Sequence, residues 1–520
     1  MARQFSLPPH QSNYRRTVVL GDLHGDLDVM LRSLAAKNIL RFDGSLGSVL
    51  TLIRQNMDAA WVPEFEAMVV PQTPRIQLIL LGDLLDRYHH GYHLIQFLKH
   101  IRWRRFGIDF VCLMGNHDLH NLQFFTNPFA VFQMYKESEH LQMDVMDFIG
   151  RMGLIQSMVS FLDLHREELV TLQQQFYREG RLAFPLGTGS EAHFSYGCDL
   201  SVLARETYES WEDVWNTLGE VAAARGFSFE ERGSWQQTLA DFSRQLSHSL
   251  FGVDGWNVWD LLPPWLETCG NQDGYDPRLR FANAVVACDD GLQPRRFMLL
   301  DWRIIAMVWR QHYGDFFRGL SVMYLEGNTL FVHGGLSPQT LLDQFGFGVL
   351  HNLVAQQFHS SEDPRRFGLV RAVARLNRLS RQVIDNALGD VTFRSNSGSE
   401  LIDGIGSRRG GRAGFTQFGG PFWADFDFVN QMTHQNDQIR GLYRAFVQAV
   451  GLRRVICGHT RFEEPGKPEL RYLRLKVMRG IGLDYICVDN SCSRGYRLES
   501  VLNGIEIDEL GEITDPGEMR

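Results

Sequence analysis

Apolar and polar positions along the chain follow two repeating patterns. Short β-branched and leucine-rich runs, Thr17-Val18-Val19-Leu20, Ile76-Gln77-Leu78-Ile79-Leu80-Leu81, Phe110-Val111-Cys112-Leu113-Met114 and Asn328-Thr329-Leu330-Phe331-Val332, each stop at a polar turn rich in glycine. Runs of that length and composition predict strands that end in loops. Further strands are expected at 472–475, 485–489 and 500–502. The second pattern has a helical period. Between 136 and 181, Leu141, Val145, Phe148, Ile149 and Met152 recur at three- and four-residue steps, followed by Leu162, Leu164, Leu169 and Leu172. Between 364 and 387, Phe367, Val370, Val373, Leu376 and Leu379 do the same.

The turns that close these four strands, with a fifth motif at 457–460, carry the chemistry. In chain order they read Gly21-Asp22-Leu23-His24-Gly25, Gly82-Asp83-Leu84-Leu85-Asp86-Arg87, Gly115-Asn116-His117-Asp118, Val332-His333-Gly334-Gly335 and Cys457-Gly458-His459-Thr460. One such turn alone is weak evidence, because many strands end in polar residues. The ordered set is specific: carboxylates, an amide oxygen and several imidazoles suit two divalent first-row metals. Their placement after strands puts them on loops at carboxyl ends, where open α/β sheets bind ligands.

These residues resemble the phosphoprotein phosphatase family of calcineurin-like metallophosphoesterases, over roughly the first 120 residues and the stretch from about 320 to 495. The resemblance implies an α/β metallophosphoesterase fold: two packed mixed β-sheets flanked by helices. It implies that Asp22, His24 and Asp83 hold one metal, and that Asp83, Asn116, His333 and His459 hold the other. Asp83 would bridge, and a water between the metals would attack phosphorus. Mn²⁺ is the expected ion, with Fe or Zn²⁺ as alternatives. By the same resemblance His117 is the general acid, Asp86 orients it, and Arg87 grips phosphate oxygens with Asn116 beside it. Tyr88 stands where the family has glycine and Asp118 where eukaryotic members have glutamate, which points to a bacterial-type branch. A second phosphate-binding arginine is not obvious. Arg440 is the candidate, with Arg408, Arg409 and Arg412 as rivals.

Composition narrows the class without choosing the substrate. The chain has 520 residues, 44% of them hydrophobic, enough for more than one core. A net charge of −9 and the lack of a long basic run argue against nucleic acid as a partner. No apolar stretch has transmembrane length and the N-terminus shows no signal-peptide pattern, so a cytoplasmic location is expected, with secretion as an effector through a dedicated machine left open. Seven cysteines without a CxxC pair read as reduced thiols. His89, His90 and His93 read as the polar side of a helix after the second motif.

The stretch between His117 and His333 exceeds what the family core needs. The expected organisation is a catalytic domain split into 14–120 and 320–505, a helical insertion at 121–319, and a tail at 506–520. Trp211, Trp215, Trp235, Trp256, Trp259, Trp265, Trp302 and Trp309 lie in the insertion. They read as the core of a helical subdomain, and more sharply as part of a cap over the site. The glycine-rich segment 404–414 reads as a linker or a flap. The expected function is a metal-dependent phosphomonoester hydrolase acting on phosphorylated protein. Hydrolysis of bis(5'-nucleosyl) tetraphosphates and a catalytically silent interaction scaffold are the alternatives. Serine/threonine or tyrosine preference and oligomeric state are not encoded in the motifs.

Overall fold

The structure, a computed structural model, describes residues 16–55, 61–70, 76–88, 90–126, 154–179, 302–337, 341, 364–389, 426–459, 476–478, 483–488, 504–508 and 512–514. The chain divides into two compact units, Met1–His120 with Phe316–Arg520, and Asn121–Asp315.

The first unit is built on two five-stranded mixed sheets. Strands β1 (Arg16–Leu20), β4 (Ile76–Leu80) and β5 (Ile108–Cys112) run parallel, and β11 (Ile505–Asp508) and β12 (Ile513–Thr514) add antiparallel to the β1 edge, in the order β12-β11-β1-β4-β5. The second sheet repeats the scheme as β6-β7-β8-β10-β9. There β7 (Thr329–Val332), β8 (Arg454–Cys457) and β10 (Asp484–Cys487) are parallel, while β6 (Met323–Glu326) and β9 (Lys476–Met478) flank them antiparallel. Strands β2 (Arg41–Phe42) and β3 (Val69–Val70) form a small separate ladder.

Every residue of β4, β7 and β8 is buried, as expected of strands covered on both faces. Val19, Ile79, Leu81 and Leu113 from the first sheet share one core with Phe331, Ile456, Ile486 and Val488 from the second. Gln77, the polar exception inside β4, is satisfied. Thr17 Oγ1 donates to its amide oxygen at 3.2 Å, and its Nε2 donates to the Tyr324 hydroxyl at 2.8 Å across the sandwich. The edges of the two sheets meet where Met114 N–H donates to Ser321 O at 2.9 Å and Ser321 N–H donates to Cys112 O at 3.2 Å.

Helices α1 (Leu27–Ala36), α2 (Leu46–Gln55), α3 (Trp61–Met68) and α4 (Gly91–His100) belong to the first unit, and α5 (Asn116–Thr126) starts within the third motif. Asp26 caps α1, its carboxylate accepting Val29 N–H at 3.2 Å. The second unit contains α6 (Leu154–Arg178) and most of α7 (Trp302–Gly319). Trp309 is buried there, stacked on Phe125 with ring centroids 5.0 Å apart, which fits its reading as a core residue. The other tryptophans of the insertion, apart from the backbone of Trp302, lie outside the described residues. Helix α8 (Pro364–Gly389) matches the expected 364–387, and α9 (Phe426–Gln435) and α10 (Asp437–Val450) precede β8.

Some expectations change. The stretch expected as a tail, 506–520, supplies most of β11 and all of β12, because Ile505 and Ile507 alternate inward into the shared core. The strand expected at 485–489 is Asp484–Cys487. The strands expected at 472–475 and 500–502, residues 136–153 of the helical stretch, and the glycine-rich segment lie outside the described residues. His90 is not on the exposed side of α4. It is the buried residue before it, its Nδ1 3.1 Å from an Arg54 nitrogen. Cys112, Cys457 and Cys487 are buried thiols. No helix among the described residues is long and apolar enough to cross a membrane.

Candidate metal centre

Five loops, each following one of the parallel strands, converge at one end of the two sheets. Gly21–Gly25 follows β1, Gly82–Arg87 follows β4, Gly115–Asp118 follows β5, His333 follows β7 and Gly458–His459 follows β8. The loops lock onto each other through the backbone. The N–H groups of Leu23 and His24 donate to Asp83 O at 3.1 and 2.8 Å, and Gly458 N–H donates to His333 O at 2.8 Å. His24, Asp83, Asp86, Arg87 and His459 all have positive φ, between 44° and 70°. That conformation is costly for residues with a Cβ and persists where surrounding contacts enforce it, most often at functional sites.

Two glycines allow the loops to approach so closely. A Cβ on Gly115 would collide with the carboxylate and backbone nitrogen of Asp83, and one on Gly458 with the Asp22 carboxylate.

Asp83 lies at the centre. Its Oδ1 accepts His117 N–H at 2.9 Å and sits 3.4 Å from His333 Nε2, while Oδ2 is 3.8 Å from His24 Nε2. Ligand atoms of His24, Asp83 and His117 lie within 4.8 Å of one another, and so do those of Asp83, His333 and His459. Asn116 joins the second group: its Oδ1 is 2.9 Å from His333 Nε2 and 3.0 Å from His459 Nδ1. Asp22 spans both sheets, its carboxylate accepting His459 N–H at 3.1 Å and standing 3.8 Å from His333 Nδ1.

The imidazoles are oriented from behind. His24 Nδ1–H donates to Leu85 O at 3.2 Å and His333 Nδ1–H to Leu81 O at 3.0 Å, so each turns Nε2 toward Asp83. Burial holds the His24 imidazole well below its usual range, in the neutral form that offers a lone pair. Burial also acts to lower His333, but the Asp83 carboxylate overrides it and raises that ring. Burial alone would push Asp83 up, and the facing imidazoles, His333 first, hold it well below the carboxylate range. An ionised buried carboxylate among imidazoles attracts cations. Hard oxygens and borderline nitrogens in this mixture fit divalent first-row metals.

His117 is held differently. Its Nδ1–H donates to Asp86 Oδ2 at 2.8 Å, its Nε2 lies 3.4 Å from an Arg87 nitrogen, and its ring meets His24 edge-on at 4.9 Å. Two neighbours were not singled out as working parts in the sequence. Asp118 accepts N–H groups from Gly115 at 2.9 Å, Leu84 at 2.9 Å and Leu85 at 3.3 Å, tying the second loop to the third. Burial, with the charge on Asp83, pushes its carboxyl up to about 7. His120, one helical turn after His117, meets it edge-on at 5.8 Å, and burial drives its imidazole down to about 3. The i, i+3 spacing of the two histidines at a helix start was the available signal.

Arg440 lies in the first turn of α10 and forms an ion pair with Asp437 of the same helix. Arg408, Arg409 and Arg412 lie outside the described residues.

Two mixed sheets with carboxylate, amide and imidazole donors on the loops at their strand ends are the fold and donor arrangement of a metallophosphoesterase domain. Residues 15–192 match the calcineurin-like phosphoesterase family, so this part of the chain carries a calcineurin-like metallophosphoesterase domain. Members of that family bind two divalent metals. His333 and His459 lie beyond the matched stretch, and the fold brings them to it. No curated protein gives a significant match. Among solved structures, a cold-active protein tyrosine phosphatase aligns with 98% of this chain and 80% of its own at 11% identity and a TM-score of 0.34. The cold-active protein-tyrosine phosphatase of a psychrophilic Shewanella sp. aligns with 98% and 82% at 11% identity and a TM-score of 0.33.

Proposed function

We propose that the chain is a phosphoprotein phosphatase of the bacterial-type branch, a metal-dependent hydrolase of phosphomonoesters on protein. The observation that carries this reading is the Asp83 carboxylate standing between the imidazoles of His24 and His333. Asp22, His24 and Asp83 would hold one divalent ion, and Asp83, Asn116, His333 and His459 the other. When bound, the two ions supply Lewis acidity toward the phosphoryl group and acidify water for attack. The residues around them do the rest. His117, protonated at both ring nitrogens, would donate the Nε2 proton to the leaving oxygen, while Asp86, accepting Nδ1–H, holds the ring in place for the transfer. Arg87 presents a planar cation next to His117 Nε2, where it can hold phosphate oxygens in register with the acid. Asn116 offers its amide N–H₂ to phosphate while its oxygen faces the two imidazoles. Tyr88 and Asp118 favour the bacterial-type branch.

The test is a panel of phosphoserine, phosphothreonine and phosphotyrosine peptides beside diadenosine tetraphosphate, with Mn²⁺ supplied. Turnover of at least one phosphopeptide is expected, and in Asp83→Asn both metal content and turnover should fall. Cleavage of the dinucleotide with inert phosphopeptides would replace this reading by the tetraphosphatase one. Full turnover in Asp83→Asn would remove the shared-ligand assignment.

A further inference from the structure

The inserted unit contains a second cluster of metal-ligating side chains, built from residues of α6 and α7. On α6, His165 and Glu168 are one turn apart and face the same way, with His165 Nδ1 3.2 Å from Glu168 Oε2. From α7, His312 Nε2 reaches the same carboxylate oxygen at 2.8 Å. The ligand atoms of all three residues lie within 4.8 Å of one another. The His165 ring is buried among aromatics, 5.0 Å from Phe161 and 5.6 Å from Tyr313 by ring centroids. Its other nitrogen, Nε2, is 2.8 Å from the Tyr313 hydroxyl.

We propose that His165, Glu168 and His312 form a zinc site that joins α6 to α7. Two imidazoles and one carboxylate are a zinc ligand set, with water completing the tetrahedron. In a tetrahedron with bonds near 2.0–2.1 Å, ligand atoms stand about 3.3 Å apart, and the observed 2.8 and 3.2 Å are close to that. The Tyr313 hydroxyl, 2.8 Å from His165 Nε2, can serve as the outer partner that zinc-bound histidines generally have: by accepting Nε2–H it would leave the Nδ1 lone pair facing Glu168, for an ion between them to bind. Side-chain exposures of 33% for Glu168 and 29% for His312 leave an entry path and room for the water. The competing occupant is a proton, with both rings donating N–H to Glu168 and no metal bound.

Zinc counting on the full-length protein separates the two. The background is Asp83→Asn, which weakens the catalytic pair, and Zn²⁺ is titrated against a chromophoric chelator and counted by mass spectrometry. Asp83→Asn should hold about one zinc per chain more than Asp83→Asn/His312→Gln, and zinc should raise the Tm of the first and not the second. Asp83→Asn/Glu168→Gln, whose neutral amide keeps the size of the carboxylate, should lose the same ion and guards against a folding defect in the histidine variant. Equal zinc content and equal Tm response in all three would leave the cluster a hydrogen-bonded network and overturn the proposal. An inactive wild-type enzyme would refute the phosphatase reading without touching these counts.

Discussion

His117 and Asp83 occupy neighbouring positions with different consequences when replaced. Because His117 is gripped at Nδ1 by Asp86, its loss should slow turnover while metal is retained. For His117→Ala the expected fall in kcat on phosphoserine peptide is about 10²- to 10⁴-fold, the usual size of general acid catalysis. Aryl phosphates with acidic phenols need less protonation and should fall less; equal losses on both substrates would take His117 out of the acid role. Asp118 tests positioning. Its carboxylate satisfies three backbone N–H groups, and Asn would turn an N–H₂ toward at least one of them, a mismatch worth about 1–3 kcal/mol when buried. Urea denaturation should show that loss. Unchanged stability would mean the loops hold without it. The motif residues were legible because their chemistry is specific, whereas Asp118 looked like a marker of family branch. Its role depends on backbone groups of Leu84 and Leu85, far away in the chain.

Secondary structure followed the apolar periodicity closely where burial is one-sided or complete. Helix α8 and strands β1, β4, β5 and β7 lie where the pattern put them, within a few residues. What the pattern could not show is how edges are finished. Strand β6 is the outer strand of its sheet, and Asn377 of α8 covers its start: its Oδ1 accepts N–H from Val322 at 2.9 Å and Met323 at 3.1 Å, and its Nδ2 donates to Met323 O at 2.8 Å. In a helix otherwise read for its leucines and valines, such an asparagine looks like solvent-facing filler. Asn377→Leu should cost about 1–3 kcal/mol and speed amide hydrogen exchange at Val322 and Met323. Protection unchanged at those amides would show that water or a neighbouring group satisfies them instead. The loop after His333 is held in a similar way, Leu336 N–H donating to Tyr485 Oη at 2.6 Å and Leu336 O accepting from Tyr443.

The candidate metal centre draws donors from both sheets, so occupancy should be felt as stability of the first unit as a whole. A ligand at a hundred times its Kd adds about 2.7 kcal/mol to a folded state that alone binds it. EDTA should therefore lower the Tm of the protein, and Mn²⁺ should restore Tm and turnover together. Calorimetry on His312→Gln, which lacks the proposed zinc site, isolates the catalytic centre's part. A Tm indifferent to both EDTA and Mn²⁺ in that variant would mean the two sheets hold the site rigid without metal.

The identity and order of the donors, the strands before them and the presence of a long insertion could all be read along the chain, because each is a matter of residue type and local spacing. Which donors stand close together could not be read from residue type and spacing, and only the family resemblance implied it. Asp83 meets His333 and Asn116 meets His459 only because two sheets pack on a common core and bring loops from opposite ends of the chain together. The left-handed backbone at His24, Asp83, Asp86, Arg87 and His459 has the same origin, since nothing local favours it and the contacts of neighbouring loops impose it. The cluster of His165, Glu168 and His312 is the clearest case: i, i+3 spacing hints at half of it, and His312 joins only when a distant helix folds back.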